Sequence, residues 1–148
     1  MTATIPDTTP REALNSLEVL IGTWRVDGPT VEGLVSFEYM EGGAFMMQRV
    51  DLMHDGHWHR GIEVIGFDEE SGSLRSHYYG NVGIELEYEW EIDGGALTIW
   101  FGRRGSDNRF EGLISYDEDS IVGAWTWPGG GYRATMTRID GGDDGQAI

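Results

Sequence analysis

Between residues 84 and 92 the chain alternates without a break. Ile84, Leu86, Tyr88, Trp90 and Ile92 carry apolar side chains, and Glu85, Glu87, Glu89 and Glu91 stand between them. Successive side chains of an extended strand point to opposite faces, so this period of two describes a strand with one buried face and one wet face. A helix would scatter the same residues around its circumference. The four glutamates read as a solvated outer face rather than a cation site. Whatever else the chain forms, it must contain a sheet that is covered on one side.

The neighbouring segments repeat the pattern. Asp93-Gly94-Gly95 is a hairpin turn leading to Leu97, Ile99 and Phe101, and Asp117-Glu118-Asp119 joins strands expected over residues 110–116 and 121–127. Gly129-Gly130-Gly131 turns into a last strand over 132–139. Upstream, Glu41-Gly42-Gly43 separates strands expected over 35–40 and 45–53, Asp55-Gly56 separates the second of these from 59–67, and Glu70-Ser71-Gly72 precedes 74–80. Most of the 23 glycines are such turn punctuation. A meander of about ten strands removes its unpaired edges by closing on itself, which makes an antiparallel up-and-down barrel the expected all-β fold.

One short helix should precede the barrel. Ala13, Leu14, Leu17, Leu20 and Ile21 recur at helical spacing, Thr9 is placed to cap, Pro10 suits the first helical position, and Gly22 stops the helix. Its apolar face should cover the mouth or the base of the barrel. The 148 residues suit one domain, expected over 11–139, with a flexible arm over 1–10 and a flexible acidic tail over 140–148.

Ten basic residues against 26 acidic ones leave a formal charge of -16, which repels a phosphate backbone and an anionic membrane surface alike, so neither nucleic acid nor membrane is an expected partner. Cysteine is absent, so there is no disulfide framework and no thiolate chemistry. The first residues lack a basic and then apolar leader, and no apolar run approaches the ~20 residues of a membrane span. A cytoplasmic protein is expected, and a homodimer stays open.

The switch from helix to strand reads Leu20-Ile21-Gly22-Thr23-Trp24-Arg25. A Gly-x-Trp at this point resembles the start of lipocalin-like barrels, in which the tryptophan packs under the barrel floor and a basic side chain of the last strand lies across it. Trp24 and Arg138 would hold those positions. With Tyr39-Met40-Glu41-Gly42-Gly43-Ala44-Phe45, Gly61-Ile62-Glu63-Val64-Ile65-Gly66-Phe67-Asp68 and the closing Thr135-Met136-Thr137-Arg138, the chain resembles a bacterial family of uncharacterised lipocalin-like proteins over residues 12–139. The resemblance implies a lipocalin/calycin-like barrel and no particular activity. The opening is also similar to nitrobindin, a haem-binding barrel with an axial histidine on the closing strand. Residues 132–139 contain no histidine, and no cofactor is expected.

Three groups of residues are candidates for a site. His54-Asp55-Gly56-His57-Trp58-His59 places three imidazoles around a hairpin turn, the donor type for a zinc-like ion, although a wet hairpin tip offers nothing to orient them and no metal is expected. His77 and Tyr79 share one face of their strand, and Tyr78 takes the other; a histidine beside a phenol suits a polar anchor or a general acid/base pair. Trp125 and Trp127 share a face, with Tyr132 beyond the turn and Trp90 and Tyr88 on the buried side of the alternating strand. In a barrel these form either a packed core or the wall of a pocket. Arg49 stands mid-strand among apolar neighbours and, if it points inward, needs Glu63 or a ligand carboxylate as partner.

No phosphate-binding glycine loop and no Gly-x-Ser-x-Gly nucleophile elbow occurs. The expected function is therefore binding of a small apolar or aromatic molecule inside the barrel. Arg49, His77 and Tyr79 are the candidate anchors, and Trp90, Trp125, Trp127 and Tyr132 the candidate walls. The alternatives are an isomerase, cyclase or hydrolase in which His77 and Tyr79 move a proton, and a structural module with a filled interior.

Overall fold

A computed structural model describes residues 9–139. The expected arm over 1–10 and tail over 140–148 lie outside these, apart from Thr9 and Pro10, which begin the helix. Helix α1 (Pro10–Asn15) starts in a reciprocal cap: the Glu12 backbone N–H donates to the Thr9 hydroxyl at 3.1 Å, and the Thr9 N–H donates to the Glu12 carboxylate at 3.1 Å. The helix stops earlier than its spacing suggests. A 3-10 turn over Glu18–Leu20 follows it, and the tighter winding brings Leu14, Leu17 and Leu20 together as fully buried side chains.

Ten strands follow: β1 (Gly22–Asp27), β2 (Val31–Tyr39), β3 (Phe45–His54), β4 (His57–Asp68), β5 (Ser73–Gly80), β6 (Glu85–Asp93), β7 (Ala96–Phe101), β8 (Arg109–Ile114), β9 (Ser120–Trp127) and β10 (Gly130–Arg138). Each pairs antiparallel with its neighbours in sequence, and β1 pairs with β10, so the sheet is a closed barrel without a free edge. The pattern of residues 35–40 understated β2, which begins at Val31. Gly33 hides that alternation, because in this strand it stands where Val31, Val35 and Phe37 turn inward, and a Cβ there would collide with the backbone of Asp51 and Leu52.

One end of the barrel is filled. Trp24 is fully buried, its indole N–H donates to the Leu20 carbonyl at 2.9 Å, and the Arg138 guanidinium lies 4.3 Å above its ring. Arg138 also donates to the carbonyls of Val19 and Ile21, at 2.7 and 2.5 Å, and lies 3.2 Å from an Asp119 carboxylate oxygen. One arginine therefore joins the closing strand to the segment that enters the barrel, and it satisfies carbonyls that the short 3-10 turn leaves free. Leu14, Leu17 and Leu20 pack with Met46, Ile65 and Ile121 into the core at this end.

Two expectations for the alternating strand are corrected. Ile84 lies just before β6 and is exposed. Glu89 is not solvated: the loop after β7 folds back over it, the Arg104 backbone N–H and guanidinium reach its carboxylate at 3.2 and 3.3 Å, and Arg104 also covers the outward-facing Trp100 at 4.6 Å. Among the described residues no helix is long and apolar enough to cross a membrane.

Candidate ligand cavity

The opposite end of the barrel is open and leads into a cavity of about 650 Å³. Inward positions of strand after strand line it: Val26, Val31 and Val35 from β1 and β2, Val50 and Leu52 from β3, Ile99 from β7, and Ala134 and Met136 from β10. Aromatic rings form much of the rest. Trp125 lies 5.9 Å from Tyr88 and 5.8 Å from Phe110, and Trp127 lies 6.1 Å from Tyr132 near the mouth. Two glycines give Phe110 its room, since a Cβ at Gly112 or Gly123 would overlap its ring.

Trp90, Trp125, Trp127 and Tyr132, the four expected walls, all line this space. The three expected anchors do not. Arg49 points outward, is 60% exposed, and faces Glu38 at 4.0 Å. His77 is 58% exposed and lies 3.9 Å from Glu87 on the outer face, with the Tyr79 ring stacked beside it at 6.5 Å. Tyr79 is 49% exposed. These are corrections, and one cause serves all three. Met46 and Gln48 on β3 and Leu74, Ser76 and Tyr78 on β5 occupy the inward register, and alternation then sends Arg49, His77 and Tyr79 to solvent. A proton-moving His77–Tyr79 pair inside the barrel is excluded with them.

The interior polar site is built from other residues. Glu63 of β4 is opposite Gln48 of β3 and Tyr78 of β5 in the register, and all three face the cavity. One Glu63 carboxylate oxygen, Oε2, accepts from the Ser76 hydroxyl at 2.5 Å and from the Trp90 indole N–H at 3.2 Å, and the same indole N–H lies 2.9 Å from the Ser76 oxygen. No described residue donates to the other oxygen, and no arginine is paired with the group. Removal from water disfavours the charged form, so burial raises the Glu63 carboxyl to about 7, against the lowering effect of the hydrogen bonds from Ser76 and Trp90.

The phenols around it respond in the same sense. Burial and the nearby Glu63 push Tyr78 and Tyr88 above the ordinary tyrosine range, and burial with Asp55 pushes Tyr132 up to about 12. All three stay neutral hydroxyl groups at physiological pH. Tyr78 leans against Gly61, where a Cβ would overlap its ring, and against Gly80, where a Cβ would press on it at 3.0 Å. The two glycines are thus the reason a large phenol fits beside Glu63.

The histidines of the hairpin divide. His54 and His59 line the mouth with rings 6.3 Å apart, and the His54 ring lies 4.2 Å from Tyr132, tilted by 37°. His57 sits at the tip, its Nδ1 3.1 Å from the Asp55 carbonyl. Among the described residues no group of three or more His, Cys, Asp or Glu is assembled to hold a metal ion.

Sequence reasoning named Glu63 only as a partner for Arg49 and passed over Gln48, Ser76 and Tyr78. The available signal was a single carboxylate inside the apolar run Ile62-Glu63-Val64-Ile65, sharing parity with Ile65, which has no exposed surface in the fold. Fold and cavity together define the class: a closed ten-stranded antiparallel barrel, filled at one end by a helix and a tryptophan, with a ligand-sized, mostly apolar interior open at the other. No protein-family model matches the chain, and no curated protein sequence matches it.

Proposed function

We propose that the protein binds a small, largely apolar or aromatic molecule inside the barrel, in the cytoplasm. The observation that carries this reading is the cavity of about 650 Å³, which the rings of Tyr88, Trp90, Phe110, Trp125 and Tyr132 help to line. Sites for small organic ligands have this volume and this chemistry, apolar walls with a few placed polar groups, and here Glu63, Gln48 and Tyr78 supply the polar groups. A structural module with a filled interior would lack that space. The cytoplasmic setting accords with a chain that contains no cysteine.

Titration with a neutral fluorescent probe, N-phenyl-1-naphthylamine, tests the reading. The expected result is saturable uptake of one probe per chain, weakened tenfold or more in Trp125→Ala with the far-ultraviolet circular dichroism spectrum unchanged. Absence of uptake, or uptake equal in the variant, would count against the cavity as the binding site.

A further inference from the structure

The polar end of the cavity is chemically one-sided. All ten basic residues of the chain are arginines, and none of them lines the cavity. Glu63 is the single acid among the lining residues, and it is almost entirely shielded from solvent. The two donors that reach it, the Ser76 hydroxyl and the Trp90 indole N–H, both act on Oε2. They hold the carboxylate in place without neutralising it. Oε1 takes no hydrogen bond from any described residue, and the buried Gln48 amide makes none with a described side chain or turn. A carboxylate taken out of water with no counter-charge is costly, and a cation placed against it offsets that cost.

The surroundings favour a cation as well. Tyr78 and Tyr88 remain neutral phenols whose oxygens can accept a hydrogen bond. The Trp125 ring lies within 6 Å of both Tyr88 and Phe110, at 61° and 54° to them, so the walls present π-faces in more than one direction. Such faces attract an organic cation, most strongly where water is excluded. The charge of -16 biases the whole molecule in the same direction and concentrates cations at its openings. An anionic ligand would meet Glu63 with no arginine in the lining to hold it, and the two lining histidines, His54 and His59, stand at the mouth.

Resting on the binding function proposed above, we infer that the ligand is an organic cation: a lipophilic amine whose ammonium group sits against Glu63 Oε1 and whose aromatic or aliphatic body fills the space between Tyr88, Phe110 and Trp125. Glu63 then sets specificity by charge, and Ser76 and Trp90 are positioning residues that aim it.

Isothermal titration at pH 8 with three probes on one ring system separates this from its rivals: 1-naphthylmethylamine, 1-naphthylmethanol and 1-naphthoate. The amine is expected to bind at least tenfold tighter than the alcohol, with the carboxylate weakest. In Glu63→Gln the amine should lose that advantage while the alcohol keeps its affinity, which also shows that the variant retains a folded cavity. An alcohol that binds as tightly as the amine overturns the inference and leaves the cavity as a neutral-ligand site, as does an amine preference that survives in Glu63→Gln. Failure of all three probes to bind the wild-type protein overturns the binding function itself and this inference with it.

Discussion

Glu63 makes the stability of this protein fall as pH rises, and Glu63→Gln should remove that fall. The carboxyl group loses its proton near the ordinary glutamate value of 4.5 in the unfolded chain and near about 7 in the fold, because burial disfavours the charge. Between those two pH values the folded state holds a proton that the unfolded state has released, so each step upward in pH favours unfolding. The stabilising contribution is complete below pH 4.5 and is lost as pH passes through 7. At 1.36 kcal/mol per pH unit the gap amounts to about 3 kcal/mol. With a urea slope of roughly 2 kcal/mol per molar, the midpoint should fall by about 1.5 M between pH 4.5 and pH 8.5 on account of this one group. The phenols nearest Glu63, Tyr78 and Tyr88, are both raised above the ordinary tyrosine range and do not titrate in that interval. Comparison with the variant isolates this one group, because the rest of the chain is the same in both proteins. Urea unfolding of wild type and Glu63→Gln at half-unit pH steps is the assay. The curves should lie close together near pH 4.5 and separate in favour of the variant as pH rises, with the full gap above pH 7. Parallel curves across the range would refute the reasoning.

The filled end and the cavity wall carry three further predictions. Trp24→Ala should destabilise by about 3–5 kcal/mol, as expected for emptying a fully buried tryptophan site. A double-mutant cycle of Trp24→Leu with Arg138→Met, read by urea unfolding, should show a coupling of about 1–2 kcal/mol from the stacked guanidinium. Additive effects would mean that Arg138 acts only through its carbonyl contacts and its ion pair with Asp119. Gly61→Ala should lower stability by about 1–3 kcal/mol and shift the near-ultraviolet signal of the aromatic residues, because the added methyl would collide with the Tyr79 carbonyl and meet the Tyr78 hydroxyl at 2.6 Å. A neutral or stabilising outcome would show that β4 and β5 separate easily and that Tyr78 is not held where it stands.

Much of the architecture was legible in the residues themselves. Period-two alternation and glycine turns specify strands and hairpins locally, and a long meander of such hairpins has few ways to end other than closure. The pairing of Trp24 with Arg138 was implied by the resemblance of the Gly22-Thr23-Trp24 opening to lipocalin-like barrels, and closure, which brings the first and last strands together, places the two residues opposite each other. The site was only half legible. Tryptophans at 90 and 125 are large and apolar, and removal from water decides which way they face, while Trp127 shares the parity of Trp125 and stands exposed at the mouth. Arg49, His77 and Tyr79 lie in strands where both parities carry side chains able to face either solvent or a cavity, so local pattern assigns no preference.

Alternation along the chain therefore determined that strands with two unlike faces exist, where they turn, and that they close. It could not determine which face of β3 and β5 is the inner one. A one-residue change of register exchanges the faces with almost no change in local energy, and only the packing of Met46, Ile65 and Leu74 at the filled end locks the choice. Tertiary structure alone then brought Glu63, Ser76 and Trp90, which are 13 to 27 residues apart in the chain, into one hydrogen-bonded group. Such a group acquires its properties from the water it loses, and that loss depends on the whole barrel.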